Sequence, residues 1–516
     1  MKTLLILPVI LLAGACSSVM PPVADDPVAK PPLDGPGGQT APVAVPVPPD
    51  MATLTLEQAV SLTLQNNRDL DVQSFEPLVA GSFLSRERAR FAPELFAEVS
   101  RREASSSEIA RSTGEQFNSD VEQDRILAGV RREFSTGTEV ELSLEQAGEA
   151  SNRAPGQDEA RVNLSLTQAL LQGGGRTVNL VAIRQAQLGL EISQAELHGY
   201  TEAVVAEVET VYWRFWLAGE SIAITRQALE VAEKQLADIR QRIEVGQLAR
   251  NEEAVAQAEV ARRRQVLIDA RAAHVRSRLE LLALIAPGVM TESVIPQTPP
   301  ELPEADAADT AAMRIELAEA SRADLVEARL RLEQRRLGTV MTRDGLLPRL
   351  DFFARLAKTG YGSDEGEAWS DISGDNYDMQ VGVSLSRTLG ERVESARDAE
   401  SRFRYDQAQA AVENLRLQVG SRVLIALNEL ERAQRQIEAS AETRRFQELT
   451  VESEIERFQV GTGTALMVAQ AQRDLLASMI EEQRARVQAR LALLQLYVAE
   501  GSLLSRRGIA TAPLTP

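Results

Sequence analysis

Two proline-free stretches, 156–286 and 349–512, restrict the fold more than any other feature of the sequence. Within them, the segments 391–459 and roughly 176–244 are dense in Ala, Glu, Gln, Arg and Leu, residues that favour helices. At about 1.5 Å per residue, helices of sixty to seventy residues are on the order of 100 Å long. Such helices do not fit inside a globular core, so the sequence predicts an elongated body.

Each long helical segment ends at a short glycine-containing break. The first break is "RIEVG" at 242–246 and the second is "RFQVGTGT" at 457–464. Because glycine readily adopts positive φ, these breaks predict tight turns of helical hairpins near 245–250 and 460–464. Apolar residues around the second break recur at intervals of three, four and seven, which is typical of a coiled coil. They are Val419, Val423, Leu427, Leu430, Ile437, Ile480, Val487, Leu491, Leu494 and Val498.

The two halves of the chain, 53–300 and 301–505, contain similar motifs in the same order. "NNRDLDVQ" at 66–73 returns as "SRADLVEA" at 321–328, and "VNLSLTQALL" at 162–171 returns as "VGVSLSRTLG" at 381–390. The sequence therefore predicts two internal repeats, each with a helix, two strands and a long helical hairpin. A short tail, 506–516, follows the second repeat.

Strands are predicted where apolar and polar residues alternate. In the second repeat we expect strands near 348–358 and 377–387; in the latter, Tyr377, Met379 and Val381 alternate with Asp378 and Gln380. One apolar and one polar face suit a barrel between lipid and water, although a half-buried sheet of a soluble protein has the same pattern. After the first 15 residues no segment has the roughly 20 apolar residues of a membrane helix, so a membrane crossing would require a closed barrel.

The first repeat has 36 additional residues between its two strands. Pro93 and Pro348 are 255 positions apart, whereas Val162 and Val381 are 219 apart. The additional residues fall within 105–160, where "RILAGVRREF" and "EVELSLEQ" flank "STGT". This pattern predicts an inserted β-hairpin, with a disordered surface loop as the alternative.

The amino terminus has the features of a secretory signal. "MKTLLILPVILLAGACSS" combines Lys2, an apolar run and small residues before the single cysteine, so residues 1–15 are predicted to be a signal peptide. The ending resembles a bacterial lipobox, which implies cleavage before Cys16 and its lipidation; an ordinary buried thiol is the alternative. Ser17 does not match an inner-membrane retention signal. Residues 16–52 are proline-rich and predict a solvated tether.

Charge and motif content disfavour nucleic-acid binding and catalysis. The formal net charge is −19, from 56 basic and 75 acidic residues, and it repels polyanions. His198 and His274 have no partners at metal-ligand spacing, and no Walker-type loop or serine elbow is present. We therefore expect no enzyme activity, no cofactor and no metal site.

The two repeats, their "RxxVG" turns and "LSLTQALLQGGGR" at 164–176 together resemble the TolC-type outer-membrane efflux duct family, over about residues 53–505. The resemblance implies an α+β membrane protein that forms a homotrimer. Each subunit would give four strands to a 12-stranded transmembrane β-barrel, continued by a long α-helical coiled-coil barrel in the periplasm. The implied location is the outer membrane of a Gram-negative bacterium, with the lipid anchor on the periplasmic side.

The same resemblance implies a function and partners. The expected function is a passive duct of a tripartite efflux or secretion system, with a periplasmic adaptor (membrane fusion) protein, an inner-membrane pump and outer-membrane lipid as partners. The alternative is a non-conducting structural lipoprotein that spaces the outer membrane from a periplasmic partner. The family's adaptor-docking tips match Arg242, Val245, Gly246, Arg457, Val460, Gly461 and Thr462. These glycines could also serve the turn alone.

The resemblance also places a periplasmic aperture beside the second tip. Met467 and Gln470 occupy positions where family members often have two aspartates, and Glu252 and Glu253 are candidates to supply the missing charge. Met467 could close the aperture by apolar contact and dewetting, or it could be a buried packing residue. The surrounding helices would open the aperture by small rotations.

Overall fold

The structure, a computed structural model, describes residues 53–109, 114–288, 295–301, 310–390 and 392–509. The expected signal peptide at 1–15, Cys16, the rest of the proline-rich segment to residue 52 and residues 510–516 of the tail lie outside the described residues. The helices are α1 (Leu56–Asn66), α2 (Arg68–Gln73), α3 (Glu76–Ala89), α4 (Arg176–Asn179), α5 (Val181–Glu244), α6 (Asn251–Ile285), α7 (Ala311–Ser321), α8 (Ala323–Asp344), α9 (Glu365–Asp371), α10 (Arg392–Gln459), α11 (Ala465–Glu500) and α12 (Leu503–Arg506). The strands are β1 (Thr53–Leu54), β2 (Glu94–Ile109), β3 (Gln116–Glu133), β4 (Thr138–Ser151), β5 (Gln157–Ala169), β6 (Ile295–Pro296), β7 (Arg349–Gly362) and β8 (Tyr377–Ser386).

Two long helical hairpins, α5 with α6 and α10 with α11, are the largest elements of the molecule. Helix α5 has 64 residues and α10 has 68, so each is about 100 Å long. Their apolar residues pack between helices and not around a single centre. Val419 and Val423 of the predicted coiled-coil seam are fully buried where α7, α10 and α11 meet. Within the described ranges, none of the helices combines the length and the hydropathy needed to span a membrane.

The middle of α5 anchors the start of the described chain to the end of the first half. The hydroxyl of the fully buried Tyr212 donates a hydrogen bond to the carbonyl oxygen of Leu54 (2.9 Å) and accepts one from the N–H of Thr298 (3.0 Å). Strands β1 and β6 pair in parallel beside it. Because a buried hydroxyl requires partners, these bonds fix the position of both segments.

The six long strands form one antiparallel sheet in the order β2-β3-β4-β5-β7-β8. A tight turn at 134–137 joins β3 to β4, and Gly137 adopts φ 81° there. The strand expected near 348–358 extends further, from Arg349 to Gly362, and the one expected near 377–387 spans Tyr377–Ser386. Helix α9 packs against the carboxyl-terminal end of β7. Only glycine fits at position 360 there, because a Cβ atom would lie 2.1 Å from the carbonyl oxygen of Ala368.

The two faces of this sheet differ in chemistry. One face has a row of apolar side chains that are register partners across all six strands and are 43–80% exposed. They are Leu95, Val130, Leu142, Leu164, Leu356 and Met379. The opposite face has an ion pair beside this row, Arg131 with Glu94 (2.8 Å), whereas ion pairs on the apolar face, such as Arg101 with Glu122 (2.9 Å), lie further along β2 and β3. An apolar surface of this extent, uncovered in the single chain, indicates an interaction site.

Candidate functional site

The first helical hairpin ends in a turn built around one glycine. Gly246 follows the last residues of α5 with φ 78°. Its N–H donates to the carbonyl oxygen of Ile243 (3.0 Å), and the N–H of Gln247 donates to that of Arg242 (2.8 Å). This pair of bonds is the Schellman motif, which satisfies carbonyl groups left without partners at a helix end.

The second hairpin ends with the same geometry. Gly461 has φ 80°, its N–H donates to the carbonyl oxygen of Phe458 (3.2 Å), and the N–H of Thr462 donates to that of Arg457 (2.9 Å). The Thr462 hydroxyl donates to the same Arg457 oxygen at 3.1 Å. Helix α11 then begins at Ala465, with the preceding Thr464 side chain as its N-cap. Both turns therefore use glycine where a Cβ atom would strain the backbone.

The two tips pack against each other within one chain. An apolar cluster joins α5, α6, α10 and α11 at this end of the molecule, and its buried members are Ile239, Ala256, Phe458, Ala465 and Val468. Beside the cluster, the Glu252 carboxylate accepts a hydrogen bond from the N–H of Ala465 at 3.1 Å. This N–H is at the start of α11, where it has no acceptor in its own helix and where the helix dipole favours an anion. Glu252 thus links the first tip to the second.

The predicted docking residues differ in what they present to solvent. Arg242 pairs with Asp238 on its own helix (3.0 Å), and Arg457 pairs with Glu454 (2.9 Å). Val245 and Val460, by contrast, are 64% and 75% exposed. The tips therefore offer two exposed valine side chains next to glycine backbone, a surface that a partner can approach closely.

The predicted aperture residues lie at the starts of two helices, Glu252 and Glu253 on α6 and Met467 and Gln470 on α11. Met467, which is 41% exposed, and the exposed Gln470 are one helical turn apart on α11, away from its buried Ala465 and Val468. Glu253 accepts hydrogen bonds from the Arg240 and Gln257 side chains, both at 2.9 Å, and remains within the first hairpin. Only Glu252 reaches across to the second hairpin. In the single chain Met467 is not a buried packing residue.

Sequence reasoning did not identify a buried ion pair above the tips. Glu259 and Arg263 on α6 are separated by 2.8 Å and are both almost completely buried, with Arg473 of α11 at 3.9 Å from Glu259. Burial lowers the pKa of Arg263, against the attraction of Glu259. The spacing of four residues is visible in the sequence, but such pairs are common on solvated helix faces and do not predict burial.

Ionisable groups elsewhere on the helices serve packing. The buried Glu202 of α5 accepts a hydrogen bond from the N–H of Leu503 (3.1 Å), and burial raises its pKa to about 7, against that bond and the attraction of Arg322. Burial also lowers the pKa of His198 and of His274, whose ring lies 4.8 Å from that of Phe215. Among the residues that the structure describes, no group of three His, Cys, Asp or Glu is arranged to hold a metal ion.

Comparison with known proteins relates nearly the whole described chain to one family. The family model described as outer membrane efflux protein matches residues 59–286 and 314–502. None of the curated proteins that were searched matches the chain.

Solved structures that match include three outer-membrane proteins. The outer-membrane channel OprN is 17% identical with a TM-score of 0.66, over 87% of this chain and 90% of that one. The CmeC outer membrane channel of Campylobacter jejuni is 16% identical with a TM-score of 0.64, over 87% and 85%. The outer membrane protein VceC of Vibrio cholerae is 16% identical with a TM-score of 0.63, over 86% and 96%. At these identities the similarity establishes a shared fold.

Proposed function

Because the chain belongs to the outer membrane efflux protein family, we propose that it is the outer-membrane channel of a tripartite efflux or secretion system. In this role it is a passive duct that carries substrates from an inner-membrane transporter through the periplasm and the outer membrane. The transporter supplies the energy, and the duct performs no chemistry on its cargo.

One observation supports this proposal above the others. A sheet with an exposed apolar row on one face and ion pairs on the other is continuous with helices about 100 Å long. In a homotrimer, three such sheets close a barrel whose apolar face contacts lipid and whose polar face lines water. The helices continue this barrel as a tunnel across the periplasm, and the lipid on Cys16 anchors the amino terminus in the periplasmic leaflet of the outer membrane.

The hairpin tips are the proposed docking surface for a periplasmic adaptor. Val245 and Val460 provide exposed apolar contacts, while Gly246 and Gly461 let an adaptor backbone approach the turn. The Thr462 hydroxyl donates a hydrogen bond to the carbonyl oxygen of Arg457 at the end of α10, which restrains this edge of the surface. The adaptor then connects the duct to the inner-membrane pump.

The aperture lies beside the second tip. In the trimer, three copies of Met467 and Gln470 meet on the tunnel axis, and the methionines close it by apolar contact and dewetting. The bond from Ala465 to Glu252 holds the two hairpins of one subunit together there. When the aperture opens, the helices of one subunit move relative to those of its neighbours. The ion pair between Glu253 and Arg240, which lies within one hairpin, is kept.

Conductance and mass of the purified oligomer test the proposal. Discrete channels in a planar lipid bilayer, from a particle with three times the mass of the subunit, are expected. A Met467→Ala variant should conduct more than the parent, because it removes apolar contact at the aperture. A trimer that does not insert into lipid would favour the non-conducting lipoprotein spacer instead.

A further inference from the structure

The additional residues of the first half form strands inside the sheet. Strand β3 pairs with β2 along its length, from Glu94 opposite Arg131 to Ile109 opposite Gln116. Strand β4 pairs with β5, from Thr138 opposite Gln168 onward. The inserted hairpin therefore separates β2 from β5 and widens the sheet, whereas a hairpin attached to a loop would leave β2 and β5 as neighbours.

The apolar face of the sheet continues through the inserted strands without interruption. Val130 of β3 and Leu142 of β4 lie in the same register row as Leu95 and Leu164 on the flanking strands. Both are more than 40% exposed, as are their neighbours in the row. Exposed apolar side chains in this row of the sheet are suited to contact with lipid. In a hairpin that projected into water, the same side chains would be exposed to solvent without any stabilising contact.

The turn of the inserted hairpin lies at the end of the sheet from which the helices begin. The carbonyl oxygen of Thr136 accepts hydrogen bonds from the N–H of Gly175 (3.0 Å) and the side chain of Gln168 (3.1 Å). The carbonyl oxygen of Gly137 accepts one from the N–H of Ala169 (2.9 Å). Because Gln168 and Ala169 end β5 and Gly175 directly precedes α4, β3 and β4 extend to the junction between sheet and helices.

We infer that β3 and β4 are part of the membrane wall, so that each subunit contributes six strands and the trimer closes a barrel of eighteen. This inference rests on the proposed function, because it takes the trimeric barrel as given. Within the described residues β2 and β8 each have one neighbour, so both offer a free edge. Pairing β8 of one copy with β2 of the next is a head-to-tail contact that closes a ring of three.

The additional strands change the dimensions of the duct. Barrel diameter grows roughly in proportion to strand number, so eighteen strands give a diameter about 1.5 times that of twelve and a cross-section about twice as large. Eighteen-stranded barrels leave an open aqueous channel. The membrane section is then wide, and the narrowest point of the duct is the aperture at Met467.

Single introduced cysteines distinguish a wall strand from a projecting hairpin. Leu142→Cys and Glu141→Cys place thiols on the two faces of β4, and Val381→Cys and Gln380→Cys are the matched pair on β8, outside the insertion. The full-length trimer is reconstituted in phosphatidylcholine vesicles and treated with a charged maleimide. Labelling of the parent chain, which has only Cys16, gives the background.

The expected result is that Leu142→Cys and Val381→Cys both react at least about tenfold more slowly than their partners, because a thiol in lipid has a raised pKa and little thiolate. Rapid labelling of Leu142→Cys with slow labelling of Val381→Cys would overturn the inference and leave the duct in place. Rapid labelling at both would contradict the barrel itself. An electron cryo-microscopy reconstruction of the same trimer counts the strands directly. We expect eighteen strands in the barrel, and a count of twelve would overturn the inference.

Discussion

Replacement of Gly461 by valine measures how much the second hairpin tip depends on glycine. The position has φ 80°, and a Cβ atom built there meets nothing within 4 Å, so the cost is one of backbone conformation and not of collision. The left-handed region costs an L-residue about 1–2 kcal/mol, and a β-branched side chain is at the upper end of that range. A penalty of about 2 kcal/mol makes local opening of the turn about 30 times more frequent.

Hydrogen exchange reports this opening directly. The amides of Thr462 and Gly463 donate to the carbonyl oxygen of Arg457, so in Gly461→Val they should exchange about 30-fold faster. Gly461→Asn is the matched control, because asparagine tolerates the left-handed region, and its increase should not exceed about fivefold. The amide of Gln247 at the first tip should not change in either variant. Equal exchange in the valine and asparagine variants would refute the argument.

Three further predictions concern other sites. Burial raises the pKa of Glu202 from 4.5 to about 7, so between these pH values the folded state binds more protons than the unfolded state. The free energy of unfolding therefore falls as the pH rises through this range, by up to about 3 kcal/mol. Glu202→Gln should remove this fall, which denaturation at pH 5 and at pH 8 measures. Phe458→Ala should lower the free energy of unfolding by about 3–5 kcal/mol, whereas Phe446→Ala, at a residue 61% exposed, should change it by less than about 0.5 kcal/mol. Val460→Asp should abolish export in cells without changing trimer mass or conductance, since it charges the proposed docking surface; normal export would remove that residue from the surface.

The sequence resemblance to outer-membrane efflux ducts is confirmed by the family match over both halves of the chain. It was recognisable because helix periodicity, strand alternation and glycine breaks are local properties. In a helix the side chains of residues three or four apart share a face, and in a strand every second residue does, so each pattern reports its own element. The order of the elements then identified the family. The adaptor-docking and aperture roles of the tip residues stay predictions.

Other features depend on contacts between distant residues. The aperture role of Glu252 stays a prediction, but its hydrogen bond from the first N–H of α11, 213 positions away, could not be read from the sequence. Phe458 lies within the quoted turn motif, and nothing in "RFQVG" indicates that its ring fills the contact between the two hairpins. Whether such a side chain is buried depends on which helices pack against each other. The periodicity along one helix does not specify its packing partners.

The sequence alone determined the long helices, their glycine turns, the strands with two unlike faces and the presence of an insertion between the first two strands. Each of these follows from backbone propensity and side-chain spacing over a few residues. Only the tertiary structure decided where the inserted hairpin goes. A hairpin has the same alternation whether it projects from a loop or joins a sheet, and the choice depends on hydrogen bonds from β3 to β2 and from β4 to β5. Pairing partners are a property of the whole chain, and so is the width of the barrel that these strands build.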